Sequence, residues 1–241
     1  MKIKKHIPNL ITLGNLFCGT IATIYAVQAD FVFAGLFVIL GILFDFFDGF
    51  AARLFQVSGE LGKQLDSLAD MVTSGVVPGI IMLKLIEVNT INASNSFFDN
   101  SILGISLVGL VLTLGACYRL AKFNIDTRQS DSFIGLPTPA MSLFVISLPL
   151  IQEYSDTEFA LNLITNNYFL ITLTILLTYL MNAQLPLFSL KFKDYSVKNN
   201  LIKYVFLIAS LLMIIFLQYI SIPLIIIVYV VLSVISNFSK K

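Results

Sequence analysis

Four aspartates lie inside LFDFFDGFAARLFQVSGELGKQLDSLADM, residues 43–71, a segment with long apolar runs on both sides. A carboxylate at the centre of a membrane helix costs about 2.5–3.5 kcal/mol on insertion scales, so a group of them needs partners. Asp45 and Asp48 are three apart and share a helical face, and Asp66 and Asp70, four apart, share another. Between the pairs, VSGELG at 57–62 has the glycines and polar residues of a turn. An antiparallel helix pair folded there places Asp45 and Asp70 at equal distances from a turn centre between Val57 and Ser58, with Asp48 and Asp66 nearly matched. The spacing therefore predicts carboxylates converging between two helices, about one to three turns below a membrane surface. Two divalent cations would cancel their charge, and all-oxygen donors favour hard ions such as Mg²⁺ or Mn²⁺. A site of this kind suits phosphoryl chemistry.

The elements that must carry these residues are membrane helices. The 241-residue chain is 57% hydrophobic and only 12% charged, with a mean hydropathy of +0.90. Soluble domains carry about 25% charged residues. The net charge of +1 gives no reason to expect a nucleic-acid partner. Cys18 and Cys117 both sit in apolar segments and read as buried free thiols rather than a disulfide. The single histidine, His6, excludes a histidine triad or a His-rich metal site. The first apolar segment carries Asn9 and Asn15 and lacks a small-residue cleavage site, so a retained helix is expected rather than a cleaved signal peptide.

Apolar runs predict about eight spans, near 10–28, 31–54, 63–86, 102–120, 139–152, 168–185, 201–219 and 222–238. With the N-terminus in the cytoplasm and the spans alternating, fourteen of the fifteen Lys and Arg residues fall on or near the inner side; only Lys84 falls near the outer one. The turn at 57–62, and the aspartates with it, should then open to the cytoplasm. The expected fold is an all-α polytopic membrane bundle with its active-site cavity at the cytosolic leaflet.

The central pattern reads Asp45-x2-Asp48-Gly49-x2-Ala52-Arg53-x8-Gly62-x3-Asp66-x3-Asp70. It resembles the signature of the CDP-alcohol phosphotransferase family at every fixed position. Several positions also have physical readings of their own. Gly49 and Ala52 leave a helix surface bare enough for a flat base or sugar, although small residues serve helix packing equally well. The planar fork of Arg53 suits a diphosphate oxygen, or a plain interfacial anchor. Gly62 lets the chain enter the next span closely packed.

The resemblance implies that Asp45, Asp48 and Asp66 hold one metal and that Asp45, Asp66 and Asp70 hold a second, with Asp70 also the general base. It implies a CDP site lined by Gly49, Ala52, Arg53, Ser58, Gly59, Gly62 and Lys63. IPNLITLGNLFCG at 7–19 is similar to the family's N-terminal segment, where Pro8, Asn9 and Thr12 would approach the nucleotide. CYRLAKFN at 117–124 and FIGLPTPA at 133–140 resemble the bacterial branch that uses CDP-diacylglycerol and L-serine. That branch implies phosphatidyl transfer to serine, release of CMP, an inner-membrane location and a homodimer. Arg119, Lys122 and Asn124 would meet the serine carboxylate and ammonium; the alternative for the two cations is interfacial anchoring. Residues 1–9 read as a basic interfacial segment, 10–152 as the catalytic core and 153–241 as C-terminal spans. Two other readings stay open. One is a different small alcohol as acceptor. The other is an ion or proton transporter with buried acids, although the chain lacks the internal repeat common in transporters.

Overall fold

The computed structural model describes residues 6–57, 59–93, 101–126, 133–188 and 196–238. Ser58 lies outside the described residues, as do Lys2, Lys4, Lys5, Arg128, Lys191, Lys193, Lys240 and Lys241 of the orientation argument.

Two long helices open the fold, α1 (Ile7–Val27) and α2 (Phe31–Phe55). Pro8 sits in the first turn of α1, where a missing N–H costs nothing. Asp30 starts α2 by accepting from the Phe33 N–H at 3.3 Å. The buried face of α1 carries Thr12, Asn15, Cys18, Gly19, Ala22 and Ala26, and that of α2 carries Ala34, Gly35, Val38, Gly41 and Ala51. Their small size lets the two backbones lie close together.

A Schellman turn ends α2. Gln56 is left-handed at φ 54°, the Val57 N–H reaches the Ala52 carbonyl at 3.0 Å and the Gln56 N–H reaches Arg53 at 3.2 Å. The chain then re-enters as α3 (Glu60–Asp70), which runs through a π-helical turn, Met71–Val76, into α4 (Val77–Ala93). A π turn loosens the backbone ladder and is often found at functional sites. Here the Thr113 hydroxyl donates to the Gly75 carbonyl at 3.0 Å.

The remaining helices are α5 (Ser101–Ser106), α6 (Val111–Ile125), α7 (Thr138–Tyr154), α8 (Glu158–Ile164), α9 (Asn167–Asn182), α10 (Val197–Leu217) and α11 (Ser221–Phe238). The core gathers Ile81, Met82 and Ile86 of α4 with Leu112, Met141, Ile146 and Leu170 from α6, α7 and α9. One short antiparallel pairing joins β1 (Phe133–Ile134) to β2 (Pro186–Leu187). It brings FIGLP onto the C-terminal end of α9, where the Gly135 N–H donates to Leu185 and the Leu136 N–H to Leu180, each at 2.9 Å. Gly135 has φ +77°, and a Cβ there would lie 2.3 Å from the Met181 carbonyl oxygen.

The protein is a helical membrane protein. Five described stretches are long and apolar enough to cross a bilayer, or six if α8 and α9, bent by 76°, form one broken span. One of the five, Asn200–Ser236, covers 37 residues. It is not a straight rod, because the rings of Phe206 and Tyr229 lie 5.7 Å apart. A straight helix would hold them about 35 Å apart. The chain reverses at Gln218, whose φ is 46°, and α10 and α11 form a hairpin. The 17 residues of α7 make a helix about 25 Å long, short against a hydrocarbon core of about 30 Å.

Different contacts tie the two ends of the bundle. At one end the Lys63 ammonium donates to the Asn124 carbonyl, so the start of α3 meets the end of α6. At the other, Asn89 donates to Ile164 at 2.9 Å and Asn167 to Thr90 at 2.7 Å. Lys84, on α4, is ion-paired with Glu87 at 2.7 Å.

Candidate active site

The α2–α3 hairpin brings Asp45, Asp48 and Asp66 together, with one carboxylate oxygen from each within 4.8 Å of the other two. Asp45 and Asp66 are within hydrogen-bonding reach. Asp70 lies outside this trio but acts electrostatically on Asp45, and Asp48 and Asp66 act on Asp70. Like charges this close in an apolar surround repel strongly unless a cation sits among them. Three clustered carboxylate oxygens are the donor set a hard divalent ion takes, so these residues fit the metal that the sequence pattern implies.

Helix α1 fixes two of the four acids. The Thr12 hydroxyl donates to Asp48 Oδ2. Asn15 Nδ2 donates to Asp70 Oδ1 at 3.1 Å, and Thr73 Oγ1 donates to Asn15 Oδ1 at 2.7 Å. An ionised Asp70 carboxylate only accepts, which draws the amide NH₂ toward it and leaves the amide oxygen to accept from the Thr73 hydroxyl. Thr73 lies in the π turn three residues after Asp70, so the turn supplies a second contact to the same amide. Gly19 and Gly41 make room for it: a Cβ at Gly19 would sit 2.3 Å from Thr73 Oγ1, and one at Gly41 would sit 2.7 Å from Thr73 Cγ2.

Beside the acids lies a cavity of about 1020 Å³. Pro8, Asn9, Thr12, Asp48, Gly49, Ala52, Gly59, Gly62, Lys63 and Asp66 line it, together with Gln56, Val57 and Leu61, which the sequence pattern had not marked. Arg53 does not line it; its guanidinium lies over Gly49, with Nη1 3.5 Å from where a Cβ would stand. The Asn9 amide oxygen lies 3.4 Å from the Cβ position of Gly62, which ties the start of α1 to α3.

The three residues expected to meet serine separate into two groups. Arg119 and Lys122 line a second, narrow cavity with Phe123, Asp126, Met181 and Asn182. Arg119 is 7% exposed, lies over the Phe123 ring at 5.7 Å and is close enough to Asp70 for each to act on the other electrostatically. Asn124 instead faces α3, where Ser67 donates to its Oδ1 at 3.1 Å and its Nδ2 donates back to Ser67 at 2.8 Å.

A sequence model described as CDP-alcohol phosphatidyltransferase matches residues 5–180. The chain belongs to the CDP-alcohol phosphatidyltransferase family. Among curated proteins, this family member is 34% identical over 143 residues to the CDP-diacylglycerol–serine O-phosphatidyltransferase of Bacillus subtilis, covering 59% of this chain and 75% of that one. It is 36% identical over 148 residues to the Helicobacter pylori enzyme of the same name, covering 61% and 58% of the two chains. The chain thus spans less than two thirds of that second relative's length. It is also 26% identical over 196 residues to a CDP-diacylglycerol–glycerol-3-phosphate 3-phosphatidyltransferase of Aquifex aeolicus, covering 78% of this chain and 99% of the other.

Asn15, Thr73 and Asn182 had no place in the sequence pattern as site residues. A signal for Asn15 existed: it lies three residues after Thr12 on a span that is otherwise largely apolar. Thr73 and Asn182 carry no comparable local mark, because their partners are 58 and 67 residues away.

Proposed function

We propose that the protein transfers the phosphatidyl group of CDP-diacylglycerol to the hydroxyl of L-serine, forming phosphatidylserine and CMP. The observation that carries this reading is that Asp48 and Asp66 of the aspartate trio line a cavity shared with Pro8, Asn9, Thr12, Gly49, Ala52, Gly59, Gly62 and Lys63. Asp45, Asp48 and Asp66 would hold one divalent cation, Mg²⁺ or Mn²⁺, and Asp45, Asp66 and Asp70 a second. When bound, such cations offset diphosphate charge and polarise the phosphoryl oxygens.

The chain's own residues do the rest. Pro8, Asn9, Thr12, Gly49, Ala52, Gly59 and Gly62 receive the cytidine and ribose, and Ser58 belongs to the same segment. Asn15 holds the Asp70 carboxylate toward the incoming hydroxyl, and Asp70 takes the hydroxyl proton. A bond forms between the serine oxygen and the lipid-side phosphorus as the bond from that phosphorus to the CMP oxygen breaks. Arg53 and Lys63 balance the charge on departing CMP. Arg119 and Lys122 attract the serine carboxylate, while Asn124 braces α6 against α3.

The topology is proposed as eight crossings, with α10 and α11 counted separately and α7 as a short one. Arg53, Lys63, Arg119 and Lys122 share the end of the bundle that carries the site, and Lys84 toward the other end is neutralised by Glu87. This supports a site facing the cytoplasm from the inner membrane. The homodimer that the resemblance implies belongs to the same proposal.

A second reading has specific support. The Aquifex relative is named for glycerol 3-phosphate, and two cations at one cavity suit a phosphate-bearing acceptor. The deciding experiment measures CMP released from CDP-diacylglycerol by purified protein in nanodiscs containing Mn²⁺ or Mg²⁺. Release that depends on L-serine supports the serine reading; release that depends only on glycerol 3-phosphate replaces it, and release with neither refutes both.

A further inference from the structure

Helix α3, which carries Asp66 and Asp70, is continuous with the core helix α4, and the two meet at the π turn, Met71–Val76. There the Val77 N–H donates to the Val72 carbonyl, five residues back instead of four. The sequence supplies a reason. Pro78 has no N–H to give to the Ser74 carbonyl, and in a regular α-helix its ring would press on that same carbonyl; a wider turn relieves the clash.

The turn decides where the acids point. An α-helix advances about 100° per residue, and a π turn holds one residue more than an α-helical turn needs. Closing this stretch into an α-helix would therefore swing α3 by about 100° relative to α4. Val77, Ile81, Met82 and Ile86 are fully buried, so α4 keeps its face and α3 must turn. A carboxylate about 5 Å from the helix axis would then move by about 8 Å. That exceeds the 4.8 Å within which the oxygens of Asp45, Asp48 and Asp66 are gathered.

Two hydroxyls grip the turn. Thr73, inside it, donates to the Asn15 side chain of α1 at 2.7 Å. Thr113 of α6 donates to the Gly75 carbonyl at 3.0 Å. Gly75 and Gly79, four apart, form the notch that admits α6. A Cβ at Gly79 would collide with the Thr113 hydroxyl, and one at Gly75 would lie 3.1 Å from Ala116 Cβ. A carbonyl that accepts from outside its own helix is drawn away from the i→i−4 ladder, which favours the wide turn.

We propose that the π turn sets the register of the aspartate site and that Thr113 is its positioning residue, holding the turn open from α6 so that Asp66 and Asp70 face Asp45 and Asp48. Thr113 lines neither of the two cavities described above and acts through Gly75. The assignment rests on the reading that the aspartates serve phosphatidyl transfer.

Thr113→Ser keeps the donor and Thr113→Ala removes it without adding bulk, so the two variants differ by one hydroxyl. Each full chain in nanodiscs is titrated with Mn²⁺ alone by electron paramagnetic resonance, and CMP release is measured with L-serine at saturating Mn²⁺. Thr113→Ser should stay within about threefold of the unaltered protein, whereas Thr113→Ala should raise the Mn²⁺ Kd and lower kcat about tenfold each, the loss of one buried hydrogen bond. A role in packing alone would lower the Tm of Thr113→Ala and leave its Kd and kcat equal to those of Thr113→Ser, which would overturn the assignment. Where Thr113→Ala does not fold, hydrogen exchange of the unaltered protein decides. Saturation with Mg²⁺ should slow amide exchange over residues 72–77 by about threefold or more, because a ligand that needs the wide turn must stabilise it. Unchanged exchange there would overturn the assignment. An unaltered protein that neither binds Mn²⁺ nor releases CMP would instead refute the reading of the aspartates, and the role of Thr113 with it.

Discussion

Asn15 reaches across from α1 to Asp70 on α3, donating through Nδ2 at 3.1 Å, and Thr73 donates to the oxygen of the same amide at 2.7 Å. The acid proposed to take a proton is thus held by a residue on another helix. Asn15→Leu should lower kcat about 10- to 100-fold, the loss of one charge-assisted hydrogen bond, with a smaller effect on the KM for CDP-diacylglycerol. Thr73→Val, which removes the second contact to the amide and leaves its bond to Asp70, should lower kcat less. Steady-state kinetics on both variants checks the order, and an Asn15→Leu protein with normal kcat would remove Asn15 from the mechanism.

Asp70→Asn keeps the shape of the side chain and removes its basicity. It should cost about 10²- to 10⁴-fold in rate, as loss of a general base does, while the protein still inserts and folds. Asp66→Asn should abolish transfer as well, because Asp66 belongs to the carboxylate trio. CMP release together with gel filtration in detergent measures both. Full activity in either variant would show that its carboxylate takes no part in the reaction.

Arg119→Ala and Lys122→Ala should each raise the KM for serine more than the KM for CDP-diacylglycerol. Arg119 should have the larger effect, since it is buried and close enough to Asp70 to act on it electrostatically. Lys122 is less enclosed, and solvent screens its charge more. An unchanged serine KM in both would return them to anchoring at the membrane surface.

Two glycines one turn or so apart should behave oppositely. Gly109 packs its backbone on α4, where a Cβ would lie 2.4 Å from the Leu83 nitrogen; Gly104 has nothing within 4 Å of its Cβ position. Gly109→Ala should lower stability by about 1–3 kcal/mol. Gly104→Ala, in a helix and unobstructed, should leave it unchanged or raise it by about 0.5–1 kcal/mol. Thermal unfolding in detergent reads both shifts.

Much of the site was legible in the sequence for a physical reason. The convergence of Asp45, Asp48 and Asp66 follows from helical rise and the position of one turn, which lies at Gln56 and Val57, whereas Asp70, expected level with Asp45, lies outside the trio. Apolar run lengths gave the helices. They marked the span at 139–152 as a short one, and α7 has 17 residues, but they could not show that α8 meets α9 at 76°, since bends depend on packing. Contacts between distant helices were also hidden. FIGLP reads locally as a turn before α7, yet it packs on the end of α9 and closes the wall beside Arg119. Asn124, two residues after Lys122, reads as a third serine contact from its place in the chain; in space it faces Ser67.

The sharpest test is a titration of Mn²⁺ into the purified protein in nanodiscs, followed by electron paramagnetic resonance. Two ions per chain are expected, fewer in Asp45→Asn, together with loss of CMP release when a chelator removes them. A protein that binds no Mn²⁺ or Mg²⁺ and stays fully active after exhaustive chelation would contradict the metal-bridged aspartate site.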